Sequence, residues 1–231
     1  MITEAVVLAG GFGTRLQTVV SDVPKPMAPI NGKPFLTYVL HYLKEYGIRH
    51  IVLSVGHLHE VVKDYFGLEW EGLKISYAIE NEPLGTGGAI KFAFEKILGN
   101  RAFVVNGDTL FDVDLAKLSA SHNKSKAEIS IALRRVKEVS RYGSVQIDTK
   151  NKIIGFTEKG TQSGVGNING GIYMINKQVF KKISIFTEKF SMENDVFEKY
   201  YNALPFFGFP FEAYFIDIGV PEDYQRANLE L

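Results

Sequence analysis

The chain has 231 residues, 45% of them hydrophobic, with 26 basic side chains against 26 acidic ones and no cysteine. That length and apolar content suit a large α/β unit with a substantial core. The charge balance, without any basic block, argues against nucleic acid or an anionic membrane as a partner, and the lack of cysteine removes disulfides and thiolate zinc sites. Polar Thr3 and Glu4 stand where a signal peptide would be apolar, and no apolar run reaches membrane-spanning length. The expectation is a cytoplasmic protein that handles metabolites.

In chain order, residues 5–9 read as a buried strand, followed by Gly10, Gly11 and Gly13, then Thr14, Arg15 and the rigid Pro24-Lys25-Pro26. Glycines after a buried strand let backbone N–H groups approach a ligand with no Cβ in the way, which is how phosphate is cradled. Arg15 and Lys25 would add full positive charges. The dinucleotide pattern GxGxxG is not met, because Leu16 stands where the third glycine belongs, and the GxxxxGK[ST] loop is absent. An ordinary tight turn is the plainer alternative.

Pro34 marks a helix start, and Phe35, Leu36, Val39, Leu40 and Leu43 keep helical spacing until Gly47. Residues 50–55 read as a buried strand, 59–66 as a helix ended by Gly67, and 74–79 as the next strand. After a glycine-rich loop come a helix over 89–98 and an apolar strand over 102–105 that runs into Asn106-Gly107-Asp108. This alternation predicts a mainly parallel sheet covered on both faces. Farther on, 128–136, 143–148, 153–157 and 170–175 read as antiparallel strands or hairpins on the edge of that sheet. A helix over 194–202, a strand over 213–216 and a helix over 222–228 close the chain. The aromatic run Phe206, Phe207, Phe209, Phe211 and Tyr214 reads as core or subunit contact, and His57 and His59, with no third ligand at a recognisable spacing, as loop surface. No linker or repeat divides the chain, so one domain over 1–231 is expected.

Ligands of such sheets bind beyond the carboxyl ends of the strands. The loops converging there are 10–15, 80–88 and 106–109. Asp108 alone reads equally as a turn residue or as a Mg2+ ligand. Asp217, between Ile216 and Ile218, shifts the balance, because a carboxylate inside an apolar run is costly unless paired or bound to a metal.

LAGGFGTRL followed by PKPM resembles the hallmark of the sugar-1-phosphate nucleotidyltransferases. The likeness runs end to end, through EPLGTGGA at 82–89, NGD at 106–108, TEK at 157–159, NGGIY at 169–173 and FIDIGVPEDY at 215–224. The fold it implies is a Rossmann-like, mainly parallel mixed sheet flanked by helices, with an antiparallel β-rich sugar-binding edge (GT-A-like). The activity it implies is Mg2+-dependent transfer of a nucleotide to a sugar 1-phosphate, with 1–125 mainly binding nucleotide and 126–231 mainly binding sugar phosphate.

Carried over residue by residue, the resemblance makes Arg15, Lys25, Asp108 and Asp217 catalytic, the two aspartates as the Mg2+ pair. It gives the nucleotide Leu8, Ala9, Gly10, Gly11, Gly13 and Thr14 from the first loop. Glu80, Gly85 and Thr86 join from the second, and Asn106 and Gly107 from the third. It gives the sugar phosphate Lys25, Tyr142, Gly143, Glu158, Lys159, Asn169 and Gly170. The plainer readings are a solvated Glu158-Lys159 pair and a bulge at Asn169-Gly170-Gly171. Glu80 is acceptor-only and matches the two adjacent donors of guanine, where members specific for uridine or thymidine nucleotides tend to carry glutamine. Glu82 is the alternative reader, and GTP the expected nucleotide.

The chain ends soon after FIDIGVPEDY, leaving no room for the extra C-terminal domain of many mannose-1-phosphate guanylyltransferases. It resembles most the members that guanylylate D-glycero-α-D-manno-heptose 1-phosphate, with mannose 1-phosphate as the alternative. A homodimer would suit the family. A dinucleotide oxidoreductase would need the missing glycine and an acidic residue where Ser54-Val55-Gly56 stands. A catalytically silent nucleotide-binding subunit would be expected to lack a metal carboxylate.

Overall fold

The computed structural model describes residues 2–11, 22–140, 142–157, 160–184 and 187–231. The first half contains β1 (Glu4–Leu8), the small hairpin β2 (Pro29–Ile30) and β3 (Lys33–Pro34), α1 (Phe35–Glu45), β4 (His50–Val55) and α2 (His59–Phe66). It continues with β5 (Glu69–Trp70), β6 (Leu73–Ile79), α3 (Gly85–Ala93), β7 (Arg101–Asn106), β8 (Thr109–Phe111) and α4 (Leu115–Ser125). The second half has β9 (Ile129–Val136), β10 (Ser144–Ile147), β11 (Ile153–Thr157), β12 (Gly166–Asn176) and α5 (Val179–Lys182). A π-helical segment, Met192–Phe197, runs into α6 (Glu198–Tyr200) and is followed by β13 (Phe206–Phe211), β14 (Phe215–Asp217) and α7 (Pro221–Glu230).

Eight strands form one sheet in the order β13-β9-β12-β7-β1-β4-β6-β5. Strands β7, β1, β4 and β6 are parallel, as their unbroken apolar runs require. Alternate residues of β1 enter opposite cores: Ala5 and Val7 pack with α1 and α2, and Val6 with α3. Strands β12, β9 and β13 of the second half continue this sheet from its β7 edge, where the sequence expectation put β9 and β12. Only β12 is reversed there, antiparallel to both β7 and β9, while β13 runs parallel to β9. The β10–β11 hairpin stands apart.

Several elements differ from the sequence expectation, among them the short β2, β3, β5, β8 and α5, which it lacks, and the helix expected over 194–202, which is π-helical over Met192–Phe197. The helix expected over 89–98 begins at Gly85, and its last turn is the 3-10 turn Phe94–Lys96. Its first residues are glycines that look like a loop, but the chain at 188–190 crosses them so closely that no Cβ fits. A Cβ on Gly88 would lie 2.2 Å from the Glu188 carbonyl oxygen. Helix α4 has no counterpart in the expectation, because its sequence is polar and it buries only Leu115, Leu118 and His122. Its start carries a usual signal, the Asp114 carboxylate accepting from the Lys117 amide. The aromatic run at 206–211 is an edge strand with Phe206 buried in one core and Phe209 and Phe211 packed against the other, in keeping with the core reading.

At the amino end of the sheet a buried carboxylate ties three elements together. Glu4 Oε1 bonds to His50 Nδ1 at 2.8 Å and accepts from the Leu98 amide at 3.0 Å, while Oε2 accepts from the Gly99 amide at 2.7 Å. Burial raises the Glu4 carboxyl, but the His50 bond and the two amides outweigh it, and the net direction is downward. Stability from this group is therefore present above the unfolded carboxyl range and is lost as pH falls through the depressed folded value. Glu4→Ala leaves those donors without an acceptor and is expected to cost about 3 kcal/mol, read by urea unfolding at neutral pH. A change near zero would show that water replaces the carboxylate there.

Candidate active site

The carboxyl ends of β1, β4, β6 and β7 bring Gly10, Gly56, Glu80 and the turn 106–108 to one end of the sheet. Asp108 arrives on the turn between β7 and β8. Asp217 ends β14, which pairs antiparallel with β8 so that Asp217 lies opposite Thr109, and the Ile218 amide donates to the Asp108 carbonyl at 3.1 Å. Two carboxylates far apart in sequence are thereby neighbours.

Lys25 closes the group. Its 3-10 turn, Lys25–Met27, is started by Pro24 and buries Pro26 and Met27, which aims the ammonium inward. Lys25 Nζ lies 2.5 Å from Asp108 Oδ2 and 3.6 Å from Asp217 Oδ1. Burial, then the neighbouring Asp108, pushes the Asp217 carboxyl above its ordinary value, with Lys25 and the Gly219 amide pulling the other way. Among the described residues one ammonium faces these two carboxylates, so this group carries more negative than positive charge. A hard divalent cation that takes one or two carboxylates and completes its shell with phosphate oxygens and water suits this donor set. Among the described residues no cluster of three or more His, Cys, Asp or Glu offers a self-sufficient metal cage.

Gly219, to which the sequence reading gave no role, belongs to the cluster. A Cβ there would stand 2.8 Å from Asp217 Oδ1 and 3.1 Å from Lys25 Nζ. Its amide donates to Asp217 Oδ1 at 2.8 Å. The signal was the glycine directly after FIDI.

The base-side candidate, Glu80, is half-buried: Oε1 accepts from Ser54 Oγ at 3.1 Å and Oε2 from the Leu84 amide at 3.0 Å. A Cβ on Gly10 would approach Oε1 to 3.2 Å, so this carboxylate borders the first glycine loop. Glu82 is exposed and lines the same cavity as Glu80.

Several glycines do structural work where the sequence suggested ligand contact. The Gly107 amide donates to the Leu8 carbonyl at 2.9 Å, and the Ala9 amide to Ser54 O at 2.8 Å, so these atoms join strands. The Gly143 amide donates to Val139 O at 3.0 Å in a turn that needs its φ of 75°. Tyr142 immediately precedes it. At Gly170 a Cβ would strike the Phe111 ring at 2.5 Å, so close packing here requires glycine. Gly170 and Gly171 lie where the β12–β9 register shifts, so the bulge reading holds. Asn169 stands at the start of this bulge, its Nδ2 donating to Tyr173 Oη at 2.8 Å and its Oδ1 accepting from the Gly171 amide at 3.0 Å. One donor and one acceptor position on the amide remain. The Asn106 side chain packs at Gly171, where a Cβ would meet its Nδ2 at 2.8 Å.

The α3 turn is held by the chain at 190–193. Gly87 and Gly88 amides donate to Phe190 O, and Thr86 Oγ1 donates to Glu193 Oε2 at 2.7 Å while accepting from the Met192 amide. Gly85, with φ of 72°, has Phe190 O 2.6 Å from its Cβ position. Gly85 and Thr86 therefore fasten the start of α3 to the second half of the chain. Gly11 is exposed and has no described atom within 4 Å of its Cβ position. Gly13, Thr14, Arg15, Glu158 and Lys159 lie outside the described residues.

The family model described as nucleotidyl transferase matches residues 4–231. The D-glycero-alpha-D-manno-heptose 1-phosphate guanylyltransferase of Aneurinibacillus thermoaerophilus is 51% identical over 228 residues, covering 99% of this chain and 98% of that one. Its counterpart from Campylobacter jejuni is 48% identical over 221 residues, 96% of each chain. Among solved structures, HddC from Yersinia pseudotuberculosis superposes with a TM-score of 0.89 at 40% identity over 99% of both chains. The same protein complexed with GMP-PN gives 0.87 at 39% identity, again over 99% of both.

Proposed function

Because the chain belongs to the nucleotidyl transferase family, we propose that it joins GTP to D-glycero-α-D-manno-heptose 1-phosphate, giving GDP-heptose and pyrophosphate. The observation that carries the chemistry is the meeting of Asp108 and Asp217 around Lys25. The near-full-length identity to heptose 1-phosphate guanylyltransferases supports the choice of sugar. We read residues 1–231 as one unit, the first half chiefly holding nucleotide and the second chiefly holding sugar phosphate.

In this reading a sugar phosphate oxygen attacks the α-phosphorus of GTP in line. The bond from that phosphorus to the bridging oxygen breaks, and its electron pair leaves with pyrophosphate. A phosphate monoester is already ionised near neutral pH, so the protein supplies no general base and no nucleophile. Its work is positioning and electrostatic stabilisation. The amides of the first loop and Arg15 hold the departing phosphates. Lys25, drawn close by the two aspartates, presents its ammonium to the α-phosphate, and Lys159 reaches the incoming sugar phosphate. Glu158 and Asn169 receive sugar hydroxyls. Asp108 and Asp217 would hold Mg2+, whose chemistry is to neutralise charge on the attacking and leaving oxygens. No helix among the described residues is long and apolar enough to cross a membrane. We place the reaction in the cytoplasm with its phosphorylated substrates.

Glu80 receives the guanine edge. Glu80→Gln removes one acceptor, and the preference for GTP over UTP is expected to fall about tenfold or more in kcat/KM. The assay is pyrophosphate release from each of five nucleoside triphosphates with a panel of sugar 1-phosphates, heptose and mannose included. Release with no pair would sink the enzymatic reading; release best with mannose 1-phosphate would move the sugar assignment.

A further inference from the structure

Strand β4 is buried along its whole length, and Ser54, 1% exposed, brings a hydroxyl into its apolar C-terminal half. A hydroxyl in such a place is costly unless it is bonded. Ser54 Oγ donates to Glu80 Oε1 at 3.1 Å, across the β4–β6 pair. Its backbone oxygen accepts from the Ala9 amide at 2.8 Å, on the other side, where β1 gives way to the glycine loop. The second Glu80 oxygen, Oε2, accepts from the Leu84 amide at 3.0 Å. One donor on each oxygen fixes both the position and the plane of a carboxylate that would otherwise turn about its side-chain torsions. Each oxygen keeps a further lone pair for a ligand.

Resting on the guanine reading above, we propose that Ser54 is a positioning residue for base selection. Its hydroxyl sets the Glu80 carboxylate in the plane where the remaining lone pairs meet the two adjacent N–H donors of guanine. A carboxylate fixed beforehand loses little rotational freedom when the base arrives, whereas a loose one must be ordered at the moment of binding. A two-donor edge gains most from that ordering. Uracil, with one donor between two acceptors, gains little. Hypoxanthine, which lacks the exocyclic amino group, stands between them.

The test uses the full chain and its variants Ser54→Ala, Ser54→Cys and Glu80→Gln. Calorimetry gives Kd for GTP, ITP and UTP, and steady-state kinetics with heptose 1-phosphate give KM and kcat. Ser54→Ala is expected to raise Kd and KM for GTP roughly tenfold, as loss of one charge-assisted hydrogen bond implies. It is expected to shrink the preference for GTP over ITP and over UTP, with kcat and the sugar-phosphate KM unmoved. Ser54→Cys, close in size and a weaker donor, should fall between wild type and Ala, and it carries the decision where Ala does not fold. Equal rises in KM for both substrates, or an unchanged GTP-over-ITP ratio while Glu80→Gln moves it, would reduce Ser54 to a strand-packing residue. If Glu80→Gln leaves the ratio unmoved as well, the guanine reading itself falls.

Discussion

Asp108→Asn is expected to lower turnover by roughly a hundredfold or more at saturating Mg2+, the range for losing a group that acts mainly in the transition state. The replacement is nearly isosteric, and its amide oxygen can still accept from Lys25, so the fold around the turn 106–108 has no reason to change. What changes is charge. With one carboxylate gone, Asp217 loses the like-charged neighbour that helps to raise its carboxyl, and Lys25 has one charged partner in place of two. The cluster then lacks the excess negative charge that suits it to a cation. Asp217→Asn should act in the same way, and the double variant should fall little below either single one if, as proposed, the two would hold one ion. Steady-state pyrophosphate release across a Mg2+ titration reads the effect, with thermal unfolding as the control. Near-normal turnover for Asp108→Asn, with unfolding unchanged, would remove Asp108 from the site.

The parts of this molecule legible from sequence are those governed by local periodicity. Strand His50–Val55, helix His59–Phe66 and strand Ile153–Thr157 stand where their patterns put them, since burial on a sheet or helix face imposes its period directly. The parallel order followed from uninterrupted apolar runs. Asp217 was legible for a related reason, as a carboxylate in an apolar run demands compensation. Glycine was the hardest letter to read. Gly11, open to solvent, and Gly107, pressed against the β1 backbone, both follow apolar strands, and only contacts made in three dimensions separate them. The same holds for Gly87 and Gly88, read as loop and found in a helix, because the chain that crosses them comes from residues 188–190. Ser54 carried a faint signal as a hydroxyl in a buried strand. Its meaning depended on the β4–β6 register, which no local pattern states.

The glycine distinction makes the second large prediction. Gly107→Ala should lose both stability and activity, whereas Gly11→Ala should lose only what the ligand needs. A Cβ on Gly107 would lie 2.7 Å from the Leu8 carbonyl oxygen and 3.3 Å from Val7 Cγ1. The first neighbour is backbone, already bound by the Gly107 amide at 2.9 Å and anchored in β1 between β4 and β7, so it cannot swing aside as a side chain would. Either the end of β1 shifts, moving Ala9 and Gly10, or the turn bearing Asp108 lifts away from it. Overpacking of this kind costs about 1–3 kcal/mol. If Asp108 and the first loop act as proposed, displacing either by about an ångström costs on the order of a hundredfold in rate. At Gly11 no described atom lies within 4 Å of the Cβ position, so the same substitution should leave the unfolding midpoint unchanged and raise KM for GTP alone. Urea unfolding and two-substrate kinetics on both variants decide the matter. Wild-type stability and kcat for Gly107→Ala would mean that the β1–β7 contact can relax without disturbing the site, and the rigid link between glycine loop and metal carboxylate would have to be given up.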